Sequence, residues 1–238
     1  MSNNKSGIWI TGASSGIGRA AAKEFAKIGA DVFVSSRRVT ELERLNKELK
    51  EQNLTVQVFP CNVASAQNVD QTAKKIMAEH KIDCIVNNAG INSFKTAESN
   101  SVQEITDIIN TNLLGAIYTI KSVLPHMIEN GGGTVINILS VVTKKVFTKS
   151  SAYSASKAGL LAYSDSLREE VRDKNIRIVN VIPGATETPM WSQNVRKNYA
   201  GKMMSPDDIA RVLVWIYLNK SNMVTEEIVL KPITGDLS

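Results

Sequence analysis

Short runs rich in β-branched and aliphatic residues recur along the chain, at residues 7–12, 31–36, 55–62, 82–87, 134–140, 176–182 and 227–231. Each reads as a strand. The segments between them carry a different period. Ile17, Ala20, Ala21, Phe25 and Ile28 recur at helical spacing, and Gly29 ends that helix. Residues 39–52 are charged with leucines at helical spacing, and 65–79 form a further helix after the third strand. Residues 102–129 are long enough for one extended helix, or for two broken near 112–115, and 151–174 form another. Ser205, Pro206 and Asp208 mark a helix start: a serine cap, a proline in the first turn and an acid three residues after the cap. Seven strands alternating with about six helices predict an α/β fold, a Rossmann-type doubly wound sheet of parallel strands with helices on both faces. No linker, repeat or low-complexity tract interrupts the pattern, so one domain over 1–238 is expected. Only 185–204 breaks the alternation. It follows a strand end, where ligands bind in such sheets, and reads either as a substrate lid or as an ordinary surface loop.

Composition narrows the function classes. The 238 residues are 43% hydrophobic and 21% charged, the balance of a folded chain with a sizeable core. A net charge of +5, spread along the chain, argues against a nucleic-acid partner. No apolar run reaches the roughly 18 residues of a membrane span, and the polar start at 1–6 lacks the apolar core of a signal peptide. Cys61 and Cys84 form no CxxC pair and sit in apolar strands, which predicts buried free thiols and a reducing cytoplasmic location. His80 and His126 are the only histidines, so no metal site is expected.

The first candidate chemistry lies between strand one and helix one. Thr11-Gly12-Ala13-Ser14-Ser15-Gly16-Ile17-Gly18 sets glycines where a chain must turn tightly and let a diphosphate approach its backbone, with free N–H groups at the helix start facing the anion. An NAD site wants an acid at the end of strand two. This sequence has Ser36, Arg37 and Arg38 there. Arginine forks suit a 2′-phosphate, so the cofactor expected is NADP (NADPH). The alternative is that both arginines are solvated at the start of a charged helix.

The second lies further on. Tyr153 and Lys157 are four residues apart at the start of a helix and share a face. A nearby ammonium favours phenolate and lowers a tyrosine pKa, fitting the ring to exchange a proton near neutral pH. Ser140, at a strand end 13 residues earlier, would bring a hydroxyl to the same crevice.

Taken together, the chain resembles the short-chain dehydrogenase/reductases in their compact single-domain branch. Thr11–Gly18 looks like that family's TGxxxGIG turn. Asn87-Asn88-Ala89-Gly90 matches its NNAG, Asn112-Leu113-Leu114-Gly115 its NxxG helix, and Ser140 with Tyr153-Ser154-Ala155-Ser156-Lys157 its serine and YxxxK. Pro183-Gly184 with Thr186 and Thr188 matches its PG segment.

The resemblance implies roles. Tyr153 would be the acid in carbonyl reduction and the base in alcohol oxidation. Lys157 would bind the nicotinamide ribose and depress the Tyr153 pKa, and Ser140 would orient the carbonyl. Asn112 would hold a water linking Lys157 to solvent. Gly12, Ser14, Ser15, Gly16, Ile17 and Gly18 would cradle the adenosine and diphosphate. Ser36 and Arg37 would receive the 2′-phosphate with Arg38 in support. Asn62 and Val63 would flank adenine, Asn88, Ala89 and Gly90 would pack along the ribose, and Pro183, Gly184, Thr186 and Thr188 would lie at the nicotinamide. Two positions depart from the pattern: Asn62 stands where the family often has Asp, and Leu139 where it often has serine. Neither touches the acid–base group.

The resemblance also implies a homotetramer or homodimer acting on a small carbonyl or alcohol. Val141, Val142, Phe147, Met190 and Trp191 are expected near the pocket, which suggests a partly apolar substrate. Lys144 and Lys145 would draw an acidic substrate or simply be solvated. The tail 226–232 looks like that of reductases acting on 3-hydroxy acids and assorted carbonyls. The alternatives are a 3-oxoacyl-thioester reductase and a non-catalytic NADP-binding regulator.

Overall fold

The computed structural model describes residues 7–219 and 221–237; the polar start at 1–6 lies outside them. Among the described residues there are seven strands: β1 (Gly7–Thr11), β2 (Asp31–Ser35), β3 (Gln57–Val58), β4 (Cys84–Asn87), β5 (Gly133–Ile138), β6 (Ile176–Pro183) and β7 (Glu227–Leu230). They form one parallel sheet in the order β3-β2-β1-β4-β5-β6-β7. This is the Rossmann-type doubly wound α/β fold. The winding reverses between β1 and β4, and a crevice opens beyond their carboxyl ends.

Strand alternation explains the two cores. In β1, Ile8, Trp9 and Ile10 are all fully buried, but they face opposite sides. Ile8 and Ile10 pack with Phe25 of α1 (Gly16–Lys27), Leu42 and Leu45 of α2 (Val39–Lys50) and Leu213 of the last helix. Trp9 joins Phe33, Ile76 of α3 (Ala66–Met77), and the helices that follow β4 and β5. Covering both faces leaves no polar side to the sheet, as parallel strands require.

The third strand is shorter than the run 55–62 suggests. Pro60 has no N–H to give, so strand pairing stops after Val58, although Phe59 and Cys61 still donate to the carbonyls of Val34 and Ser36. The stretch 102–129 is neither one regular helix nor two broken ones. α4 (Val102–Ile109) runs into α5 (Gly115–Glu129) through a single widened π-turn at Asn110–Leu114, where the Gly115 N–H bonds to the Asn110 carbonyl five residues back. α6 (Ser151–Val171) follows β5. Residues 185–204 carry one short helix, α7 (Gln193–Asn198), and close on themselves through a bridge between Thr186 and Met204. The last helix, α8 (Pro206–Leu218), starts with a full capping box: Ser205 accepts from the Asp208 N–H, and Asp208 accepts from the Ser205 N–H, both at 3.0 Å.

Candidate functional site

A cleft of about 840 Å³ lies over the crevice. At one end is the β1–α1 turn. Gly12 and Gly16 adopt φ of +67° and +55°, where side-chain-bearing residues are strained. A Cβ on Gly12 would sit 2.7 Å from the Ala89 Cα, and one on Gly16 would sit 3.0 Å from the Thr188 methyl. Gly18 lies behind the cleft wall, packed against the Asn88 amide, which itself donates to the Thr11 and Gly12 carbonyls at 3.0 and 3.2 Å. Asn88 therefore holds the turn from below. Ser15 caps α1 without accepting a hydrogen bond from the helix N–H groups, and no acid occupies the first turn. The positive helix end thus has no counter-charge of its own and fits a diphosphate.

The arginines at the end of β2 behave differently from each other. Arg38 lies across the turn, its guanidinium donating to Ser14 Oγ at 2.9 Å and to Ser15 Oγ at 2.7 Å. Arg37 lines the same end, and among the described residues it has no hydrogen bond or ion pair. Ser36 Oγ accepts the Arg38 N–H at 3.1 Å and shapes this corner. Asn62 and Val63 also line it; the Asn62 Oδ1 accepts from the Ala64 N–H. The chain thus offers glycines, a helix end and basic groups that fit a phosphorylated dinucleotide.

At the other end are the proton-handling groups. Tyr153 and Lys157 start α6, both are buried, and both line the cleft with Ser140. Lys157 Nζ donates to the Ile138 carbonyl at 2.6 Å and lies 5.8 Å from the Tyr153 ring centre. Burial pushes the Tyr153 phenol up to about 12, against the pull of a hydrogen bond with Ser140. Burial likewise pushes the Lys157 ammonium down to about 8. The expected depression of the tyrosine by its lysine is therefore not found: the downward pull comes from Ser140, and loss of hydration outweighs it.

Asn112 sits in the π-turn and does not line the cleft. Both amide hydrogens are committed, to the Ile91 carbonyl at 2.9 Å and to Ser156 Oγ at 3.1 Å, and Oδ1 takes the Ile91 N–H at 2.8 Å. Its side chain fastens the loop after β4, while Ser156 passes on to the Tyr153 carbonyl at 2.7 Å.

Ala89, Gly90, Pro183, Gly184, Thr186 and Thr188 line the middle of the cleft. Val141, Val142, Phe147, Met190 and Trp191 line its outer part, joined by residues that sequence reading missed: Phe94, Tyr199, Asp236 and Leu237. Asp236 and Leu237 come from the far end of the described residues, and no motif marks Phe94 or Tyr199 although both lie on segments next to predicted site residues. Lys144 pairs with Glu227 at 2.8 Å and Lys145 with Asp236 at 3.3 Å. Among the described residues no cluster could hold a metal ion, and no helix is long and apolar enough to cross a membrane.

The chain is similar to known proteins over almost its full length. The family model for short chain dehydrogenases matches residues 7–199. A sepiapterin reductase of Chlorobaculum tepidum is 34% identical, with 97% of each chain aligned. A 3-oxoacyl-acyl-carrier-protein reductase of Thermotoga maritima is 30% identical over 92% of this chain and 93% of that one. The structure of an alcohol dehydrogenase from Thermococcus sibiricus complexed with 5-hydroxy-NADP superposes with a TM-score of 0.87 at 27% identity, covering 98% of this chain and 99% of that one.

Proposed function

The chain belongs to the short-chain dehydrogenase family, and from that premise we propose that it is an NADPH-dependent carbonyl reductase. The observation that carries this reading is the convergence of Ser140, Tyr153 and Lys157 on one cleft with a glycine turn backed by arginines. A nicotinamide cofactor, when bound, supplies the hydride.

The chain's own groups do the rest. Ser140 donates a hydrogen bond to the substrate oxygen and holds the carbonyl against Tyr153. The Tyr153 hydroxyl gives its proton to that oxygen as it becomes an alkoxide. A phenol held up to about 12 keeps its proton throughout the physiological range, and an alkoxide is a far stronger base than phenolate, so this transfer runs downhill. Lys157, still largely protonated below about 8, restores charge balance beside the ring. Arg37 meets the 2′-phosphate, and Arg38 sets the turn that receives the diphosphate. Residues 185–204 act as a lid on the substrate side.

The test is NADPH oxidation, with NADH in parallel, over aldehydes, ketones, 3-oxo acids and 3-oxoacyl thioesters. Turnover with NADPH is expected. A folded protein that binds NADPH yet reduces nothing would overturn the reading. The similarity to the Thermotoga maritima reductase supports a second reading, a 3-oxoacyl-thioester reductase. A rate that depends on the thioester carrier would favour it.

A further inference from the structure

Aromatic residues make up only 5% of the chain, yet Phe94, Phe147, Trp191 and Tyr199 join Tyr153 around one cleft. Two of these rings touch. Phe94, on the loop after β4, and Trp191, on the segment 185–204, stack with centres 4.9 Å apart and planes 27° apart. That is the offset arrangement aromatic faces favour.

The loop that presents Phe94 is built for the purpose. Phe94 has φ of +51°, a region that a bulky residue enters only against strain. The strain is held in place by neighbours. Asn92 Oδ1 accepts the Phe94 N–H at 3.3 Å, and Ser93 Oγ donates to Asn100 Oδ1 at 2.6 Å. Ile91, at the root of the loop, is gripped at both its N–H and its carbonyl by Asn112. Asn112 is tied in turn to Ser156 and the Tyr153 backbone. The Phe94 ring is thus fixed in position relative to the proton donor.

Trp191 is fixed from the other side. It follows Thr188 and Pro189, which pack over Gly16 of the phosphate turn, and its N–H donates to the Thr188 carbonyl at 3.1 Å. Val141, Val142 and Met190 complete an apolar wall.

We infer that the Phe94–Trp191 stack is a specificity device that selects carbonyl substrates bearing a flat conjugated ring, a reading that rests on the carbonyl-reductase assignment. The rings already in contact leave no slot between them, so the substrate ring lies against the exposed face of the pair, edge or face on, with its carbonyl toward Ser140 and Tyr153. A saturated ring of the same size is puckered and has no π-face, and it gains less from that surface.

Acetophenone and cyclohexyl methyl ketone form a matched pair of probes, differing only in ring saturation. The full-length enzyme with NADPH is expected to favour acetophenone in kcat/KM. Phe94→Leu, which keeps apolar bulk but removes the ring, is expected to lower the ratio of the two about tenfold, chiefly through KM, and Trp191→Leu to act likewise. Phe94→Tyr, which keeps the ring, is expected to retain the ratio. Parallel losses for both ketones, together with weaker NADPH binding, would reduce the stack to simple lid packing and overturn the inference. So would an unchanged ratio in both leucine variants. Equilibrium dialysis of the two ketones onto the NADP-loaded protein gives the same comparison if no ketone is turned over. That outcome leaves the reductase assignment to the wider substrate panel, while preferential binding of acetophenone lost in Phe94→Leu would still support the stack as an aryl-binding surface.

Discussion

Lys157 shows how the site trades stability for chemistry. An ammonium removed from water is a liability, and its pKa falls from the ordinary 10.5 to about 8. The folded chain therefore binds this proton less tightly than the unfolded chain does. That disfavours folding at all pH values below about 8, and the penalty fades as pH rises from about 8 toward 10.5. Replacing it by Lys157→Met is expected to abolish turnover and yet raise stability by up to about 3 kcal/mol at neutral pH, with the gain shrinking above pH 8. Urea titrations at several pH values check this, and a destabilised variant at neutral pH would contradict it. The same titration bears on the rate: kcat/KM for reduction should be flat near neutrality and fall as Lys157 loses its proton near pH 8. Tyr153→Phe should keep NADPH binding and lose on the order of 10²–10⁴ in kcat, the usual contribution of a positioned acid. The two arginines should separate cleanly. Arg37→Ala is expected to weaken NADPH far more than NADH, whereas Arg38→Ala, by releasing Ser14 and Ser15, should weaken both, as fluorescence titrations with the two cofactors will show.

At the scale of elements, the β1–α1 turn and the π-turn are where local rules are broken for the sake of the cleft. Gly12 has a backbone no side chain adopts easily and a Cβ position pressed against Ala89. Gly29 has a similar φ of +77° but nothing within 4 Å of its Cβ position. Gly12→Ala should therefore cost both stability and NADPH affinity. Gly29→Ala should cost only the backbone strain, about 1 kcal/mol, with affinity unchanged. The glycine turn was legible because a strand, a Gly-rich turn and an apolar helix face coincide in a few residues. The strands and most helices were legible from period alone. The π-turn was not: adding one residue to a helical turn shifts the register without altering the mix of apolar and polar residues at 102–129. The widened turn is nevertheless what swings Asn112 toward Ile91, so its partners could not be read either. The candidate site residues line the cleft as a group, apart from Asn112 and Gly18, which stand behind its wall. The aromatic stack was invisible because Phe94 and Trp191 lie on segments that meet only in three dimensions, and because the αL conformation of a phenylalanine has no sequence signal.

On the scale of the whole molecule, the cleft is assembled from both ends of the described chain. Gly12 stands at one end, and Asp236 and Leu237 at the other. Asp236 is held by Lys231 at 3.0 Å and by Lys145 at 3.3 Å, and Lys145 also lies 5.5 Å over the Phe147 ring. This tie joins the end of the chain to the loop that follows Ser140. Asp236→Ala is expected to raise KM for the carbonyl several-fold with a much smaller change in NADPH affinity, and high salt should mimic part of the effect. Equal loss of both affinities would place the tie in general stability instead. The strand order has a further consequence, for biosynthesis. β1 is an interior strand, with β2 on one side and β4 on the other, and Ile8 pairs with Cys84. A chain emerging from the ribosome at about 5–20 residues per second exposes one edge of β1, with Trp9 on its face, until the segment through Asn87 follows. During that interval the nascent chain presents a half-paired strand whose open edge is a template for mispairing, and chaperone contact is expected there.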